Sequence, residues 1–327
     1  MTTQSILIIG TGALATLFAA RLSATGVDVT MLGTWPAGLE ALRKEGARLA
    51  DADGVERAYP VCATGNPAEC RGARFALVLV KAWQTERAAR QLSSCLREDG
   101  LALTLQNGLG NREILAERLG LGRVALGVTT TGATLLGPGL ARLGGEGPVS
   151  LEAHPRLAAL EAMLRAAGFA VNVVADARSL VWGKLVINAA INPLTALLRV
   201  PNGELLQRPA ARLLMAELAR EAAAVARAQG VSLPFEVPES AAEEVARRTA
   251  ANRSSMLQDV LRGAPTEIDA ICGAIVRAGE AVGIQAPLNR LMWQLVGALA
   301  GNPDMLVSRR TNCQFVPHLA LFHGNSQ

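Results

Sequence analysis

The sequence predicts an α/β protein: an N-terminal half built around a mostly parallel sheet, followed by an all-helical C-terminal half. Three observations carry this expectation. Short apolar runs alternate with helix-spaced segments through residue 105, and from about Arg178 that rhythm gives way to long helical stretches. The third is size: 327 residues with 50% hydrophobic and 18% charged content can bury two cores. The expected division is residues 1–175 and 176–327.

The elements follow in order. Residues 5–9 form an apolar run that meets Gly10, residues 13–24 have helical spacing closed by Gly26, and residues 27–32 make the next strand. Residues 75–80 and 101–105 read as buried strands with a helix at 85–96 between them, which suits a parallel sheet covered on both faces. The Thr- and Gly-rich stretch 124–147 is expected to close that sheet with partly antiparallel strands. Helices are then expected at 180–198, 209–229, 240–261 and 266–282. Pro193 predicts a kink or break in the first. Ser240 with Glu243 resembles a capping box, and Gly283 a helix stop. Residues 302–327 have weak periodicity and suggest no role.

Composition narrows the function classes. A net charge of +4, arginines scattered among acids and 3% aromatic residues argue against a nucleic-acid stacking surface. Apolar runs such as 75–80 fall well short of the ~18 residues a membrane span needs. Residues 1–4 carry no basic n-region, so the expectation is a cytoplasmic protein. Cys62, Cys70, Cys95, Cys272 and Cys313 lack any CxxC pairing and read as reduced thiols, with no metal site. There are three histidines, His154, His318 and His323, and one tyrosine, Tyr59, which has no lysine four residues later. Proton chemistry therefore falls to Lys, Asp or Glu. The basic balance suits a small anionic ligand.

The motifs point to a dinucleotide. Gly10-Thr11-Gly12-Ala13-Leu14-Ala15 lies between a strand and a helix, as in a Rossmann-type fold. Gly10 permits the tight turn, Gly12 leaves room for a pyrophosphate, and Ala15 lets helix and strand approach. Backbone N–H groups at the helix start would hold the phosphates. After the second strand stands Leu32-Gly33-Thr34-Trp35, without the acid that binds the ribose hydroxyls of NAD. That favours NADP, with Thr34, Arg43 and Lys81 as candidates for its 2′-phosphate. Lys81 follows a buried strand and so stands at the sheet's carboxyl edge, where ligands bind. Gln106-Asn107-Gly108 follows another strand and, seen alone, reads as an Asn-Gly turn before it reads as a site. Lys184, Asn188 and Asn192 recur at i, i+4, i+8 in an apolar helix, a costly stripe unless it lines a wet cleft. Glu267 stands in the expected first turn of a helix, where an acid also complements the helix dipole. Ser255 reads equally as a helix-surface serine.

Together and in this order, GTGALA, VKAWQT, QNGLGN, TTTGATLLGPG, WGKLVINAAINPLTALLRVPNGEL and SSMLQDVLRGAPTEID resemble the ketopantoate reductase (2-dehydropantoate 2-reductase) family, from Gly10 to about Pro287. The resemblance implies an NADPH-binding Rossmann domain, a helical domain like that of 6-phosphogluconate dehydrogenase, and an active site between them. It implies Lys184 as proton donor and Glu267 as its acid partner, touching substrate and cofactor. Asn107, Asn188, Asn192, Asn202 and the Ser255, Met256, Leu257, Gln258 segment would stand on the substrate side. Gly10 to Ala15, Thr34, Lys81, Asn107, Thr134 and Glu267 would stand on the NADP(H) side. Thr34 replaces an arginine found in many relatives, which predicts weaker NADP selectivity, and Thr134 stands where some have Ala. An ammonium at Lys184 would polarise a 2-keto carbonyl and protonate it, and its ordinary pKa of ~10.4 already supplies the acid form. The alternatives are a reductase of another branched 2-keto acid and a non-catalytic NADP-binding sensor. The apolar helices of the second half suit a homodimer.

Overall fold

The computed structural model describes residues 4–300. The first half runs β1 (Ser5–Ile9), α1 (Ala13–Ser23), β2 (Asp28–Leu32), α2 (Pro36–Glu45), β3 (Ala47–Ala50), β4 (Glu56–Tyr59), β5 (Cys62–Thr64) and β6 (Ala73–Val78). It continues with α3 (Thr85–Cys95), β7 (Leu96–Thr104), α4 (Asn111–Leu119), β8 (Val124–Thr129), β9 (Gly132–Gly137), β10 (Leu140–Gly145), β11 (Val149–Glu152), α5 (Ala158–Ala166) and β12 (Val171–Val174). Strands β5, β2, β1, β6, β7 and β8 lie side by side and parallel, the strand order of the doubly wound dinucleotide-binding fold. Beyond β8 the sheet is extended by antiparallel β11 and then β12.

The apolar runs become buried strands because both faces are covered. In β1, Ile6 and Ile8 join the core under α1 and α5, while Leu7 and Ile9 join the core under α3 and α4. Ile8 sits opposite Met31 of β2 and Leu77 of β6, and all three are sealed from solvent. Phe18 of α1 stacks on Phe169, with ring centroids 4.2 Å apart.

The second half comprises α6 (Arg178–Leu198), α7 (Glu204–Gln207), α8 (Pro209–Ala228), α9 (Pro238–Arg248), α10 (Ser255–Leu261), α11 (Ala274–Ala281) and α12 (Pro287–Ala300). Helix α6 is its spine: Trp182, Leu185, Val186, Ala189 and Ala190 pack into a core with α8 and α11. By length and apolar composition α6 is able to cross a membrane, but two-thirds of it is buried inside the fold.

Four expectations need correction. The stretch 124–147 does not simply close the main sheet: only β8 joins it, and β9 and β10 form a separate four-stranded sheet with β3 and β4. Residues 240–261 are not one helix. Thr249 to Asn252 make a turn whose carbonyls accept from Asn202 and Gly203, and Ser254 then caps α10 by accepting from the Leu257 N–H at 3.1 Å. Ser240 is not a cap either, since α9 begins at Pro238 and Glu243 pairs with Arg212. Finally, Pro193 does not break α6, which continues as one helix to Leu198. Gly283, at φ +74°, does follow the end of α11 as a stop. The 302–327 stretch lies outside the described residues.

Candidate active site

The parallel sheet reverses its winding between β1 and β6, and there a cleft of about 1170 Å³ opens between the sheet's carboxyl edge and the helical half. That volume exceeds the usual drug-sized pocket of ~300–1,000 Å³, as a dinucleotide plus a small substrate requires. Gly10, Thr11, Gly12, Ala13 and Leu14 line one end. Gly10 turns the chain at φ +131°, and a side chain on Gly12 would project into open space, where a phosphate needs room. Helix α1 starts there with no side-chain cap and no acid in its first turn, so its leading N–H groups are available to an anion. The residues present fit a dinucleotide. Ala15 is fully buried beneath the helix and serves packing.

The chemistry gathers at the other end. Lys184, Asn188 and Asn192 face the cleft from one side of α6, as their spacing predicts. The Lys184 ammonium donates to the Thr129 carbonyl at the end of β8 (2.8 Å). Burial pulls its pKa down to about 8, against the opposing charge of Glu267. Lys184 is thus not at the ordinary value expected from sequence, because burial outweighs the carboxylate.

Glu267 is buried and stands two residues before a π-helical turn, Asp269–Gly273, rather than lying inside an α-helical first turn. One carboxylate oxygen accepts from the Ala82 N–H (3.0 Å), the other from Asn107 Nδ2 (3.1 Å) and, more distantly, from Lys81 Nζ (3.5 Å). Two segments from the sheet half, 81–82 and 107, thus converge on a carboxylate carried by the helical half. Gly108 makes the approach possible. At φ +88° it presses so close to the π turn that a Cβ would stand 2.4 Å from the Ala270 carbonyl oxygen, and the neighbouring Leu109 N–H donates to that oxygen at 3.1 Å. Such π turns recur at functional sites.

Asn202 also lines the cleft, with its Nδ2 on Thr249 Oγ1 and its buried Oδ1 without a partner. Ser255, Gln258 and Thr134 line it as well, as does Thr34. Met256 and Leu257 do not: both side chains are buried away from the cleft, as α10 alternates cleft-facing and inward residues. Arg43 also falls away, its Nε donating to the Ala63 carbonyl at 2.7 Å. Lys81 lines the cleft but is engaged by Asp259 (2.6 Å). Of the three candidates for a 2′-phosphate, Thr34 alone has no competing contact described here.

Asp259 was not singled out in the sequence, and Gln106 was named there only as part of a strand-end motif. Asp259, almost fully buried on α10, binds Lys81 through one oxygen and Arg262 through the other (3.1 Å). Gln106 ties the Lys81 and Asn107 segments together by donating to the Val80 carbonyl and to Thr85 Oγ1. A compositional signal pointed at the first. The chain has 29 arginines and three lysines, Lys44, Lys81 and Lys184, and two of those three stand in this cleft. Lysine is the cation whose pKa burial can shift, and its acidic neighbours were worth seeking.

A doubly wound sheet with a glycine turn facing a helix-borne ammonium and a buried carboxylate defines a dinucleotide-binding oxidoreductase. The chain belongs to the ketopantoate reductase family: the model described as "Ketopantoate reductase PanE/ApbA" matches residues 6–156, and its C-terminal counterpart residues 176–300. A relative named 2-dehydropantoate 2-reductase in Archaeoglobus fulgidus is 39% identical over 90% of this chain and 98% of its own. One of the same name in Halobacterium salinarum is 35% identical over 89% and 97%. The crystal structure of a PanE/ApbA family ketopantoate reductase from Ralstonia eutropha superposes with a TM-score of 0.84 at 32% identity, covering 91% of this chain and 99% of that one. A D-mandelate dehydrogenase with NADH and anilino(oxo)acetate superposes with 0.83 at 26% identity, with the same coverage.

Proposed function

We propose that the protein reduces 2-dehydropantoate to D-pantoate with NADPH, a step toward pantothenate. The observation that carries this reading is the convergence of Lys184, Glu267 and Asn107 at the end of a phosphate-binding cleft, in a chain similar over nearly its full length to relatives named for that reaction. A dinucleotide held at the Gly10–Leu14 turn would supply the hydride for the 2-keto carbon. Lys184 polarises the carbonyl as negative charge develops on its oxygen and then protonates that oxygen. Glu267 orients the substrate and opposes the loss of charge on Lys184. Asn188, Asn192, Asn202 and Ser255 offer hydrogen bonds to a carboxylate and a hydroxyl. Thr34 and Thr134 stand on the cofactor side, the former for the 2′-phosphate.

Turnover of NADPH with 2-dehydropantoate, set against a panel of branched 2-keto acids, tests the assignment. If 2-dehydropantoate is not among the best substrates, the substrate assignment fails. A second reading is favoured by one observation: Arg43 and Lys81, the two cations that the sequence offers for a 2′-phosphate, are both engaged elsewhere. Reduction of another 2-keto acid with NADH would then resemble the NADH-bound D-mandelate dehydrogenase. On the NADPH reading, kcat/KM favours NADPH over NADH by about tenfold, the worth of roughly one hydrogen bond to a charged group. A preference for NADH would overturn it. Retention of Lys184 and Glu267 in the cleft argues against a non-catalytic sensor, and the same turnover assay separates the two.

Asn192 is buried at the cleft wall, and its side chain has no protein partner described here. Asn192→Ala is therefore expected to raise KM for the keto acid about tenfold, again the worth of one hydrogen bond to a charged ligand. The dissociation constant for NADPH, read by fluorescence titration, should stay close to wild type. Equal loss of both affinities would place Asn192 outside the substrate site.

A further inference from the structure

The Lys81 ammonium stands between two buried carboxylates and does not share itself equally. It lies 2.6 Å from Asp259 and 3.5 Å from Glu267. Asp259 is held in place on every side. Its Oδ1 accepts from Arg262, and its backbone carbonyl accepts from Ala264 and Arg262. Its helix α10 is capped by Ser254, whose hydroxyl lies 2.7 Å from Thr195 Oγ1 on α6, the helix that carries Lys184. The frame that positions Asp259 is therefore the frame that positions the proton donor. With Lys81 drawn to Asp259, the Glu267 oxygen is left to Asn107 and to the interior of the cleft.

We propose that Asp259 is a positioning residue that keeps Lys81 away from Glu267, so that the Glu267 carboxylate remains free to act on Lys184 and the substrate. This rests on the roles given above to Lys184 and Glu267. Without the Asp259 charge, Lys81 would settle on Glu267 and neutralise it. An asparagine would go further, since Arg262 can keep the amide oxygen while the amide NH₂ faces the ammonium, donor against donor.

The consequence is electrical, and several charges face the cleft. They are Lys81 after β6, Arg87 on α3, Arg142 on β10, Arg253, Asp259 and Arg262 around α10, and Glu267 before the π turn. Of these, Glu267 acts to keep Lys184 charged against burial. Once Lys81 occupies Glu267, that support weakens and Lys184 loses its proton at lower pH.

The test uses the full chain labelled with ¹⁵N-lysine, in which three side-chain signals are expected, and the pH profile of keto-acid reduction. Asp259→Asn should lower the Lys184 titration, and the alkaline fall of kcat/KM with it, by about one pH unit. In a Lys81→Met background the same substitution should produce no shift, because the competitor for Glu267 is gone. A direct field from Asp259 would instead shift both backgrounds equally. An unshifted Asp259→Asn profile, or equal shifts in both backgrounds, overturns the proposal. Should Asp259→Asn not fold, Glu267→Gln decides: the Lys81 titration should fall only part of the way toward an ordinary lysine value, because Asp259 still holds it. Its fall to an ordinary lysine value would show that Lys81 belongs to Glu267. Failure of the underlying reading looks different, since the wild type itself would then not reduce 2-keto acids.

Discussion

Lys184→Ala lowers kcat for keto-acid reduction by about 10²–10⁴-fold, the usual worth of a positioned general acid, while NADPH still binds. The cleft offers no substitute at that place. Lys81 is drawn to Asp259, and among the described residues the one histidine, His154, bonds to Gly122 on the exposed surface. The fold should survive, because Lys184 makes one described hydrogen bond, to the Thr129 carbonyl, and α6 is held by its opposite face. The wild-type pH profile carries the same assignment. Burial holds Lys184 at about 8, and the acid form is the active one in reduction. Activity is thus full at lower pH and is lost as pH rises through about 8. The reverse oxidation, which needs the free amine, gains over the same range. A kcat/KM profile reports the free enzyme's groups, so it is the profile to measure. Near wild-type kcat in Lys184→Ala would move the proton source elsewhere.

Glu267→Gln damages binding and catalysis together, by about 10²-fold in kcat/KM. The carboxylate accepts from Ala82, Asn107 and Lys81, and it is buried. An amide keeps one oxygen for Ala82 but turns an NH₂ toward Asn107 and Lys81, which are also donors. Truncating or neutralising one member of a buried, hydrogen-bonded charge pair typically costs ~2–5 kcal/mol. The alkaline limb of the pH profile should also move below that of wild type, since the charge supporting the Lys184 ammonium is gone. Steady-state kinetics against both substrates, with thermal melting as the control for folding, decides it. A change in KM alone, with kcat and the profile intact, would reduce Glu267 to a binding residue.

The parts of the fold that were legible in sequence are those governed by local periodicity. β1, α1, β2, α3 and the long α6 and α8 fall within a few residues of their expected bounds because apolar spacing and glycine stops act locally. The errors fall where distant chain segments decide. The split between α9 and α10 depends on the 249–252 turn docking on Asn202 and Gly203, some fifty residues earlier. The second sheet depends on β10 pairing with β3 across ninety residues, which no window reveals. The site shows the same division. The α6 stripe is a property of one helix and was visible. Asp259 has no distinguishing pattern until Lys81, 178 residues away, is laid against it. Met256 and Leu257 belonged to a matching motif, yet one turn of helix is enough to send alternate members of a motif to opposite sides of the wall.

The contact between Gly108 and Ala270 has a mechanical meaning. It joins the two halves of the molecule through main-chain atoms, with no flexible side chain between them to stretch or swing. On the opposite rim the halves touch through the exposed Asn252 side chain, which reaches the Gly144 carbonyl at 3.4 Å. One edge is riveted and the other merely latched. A gape that pivoted about the riveted edge, like a book about its spine, would keep Asn107 and Glu267 in register near the axis.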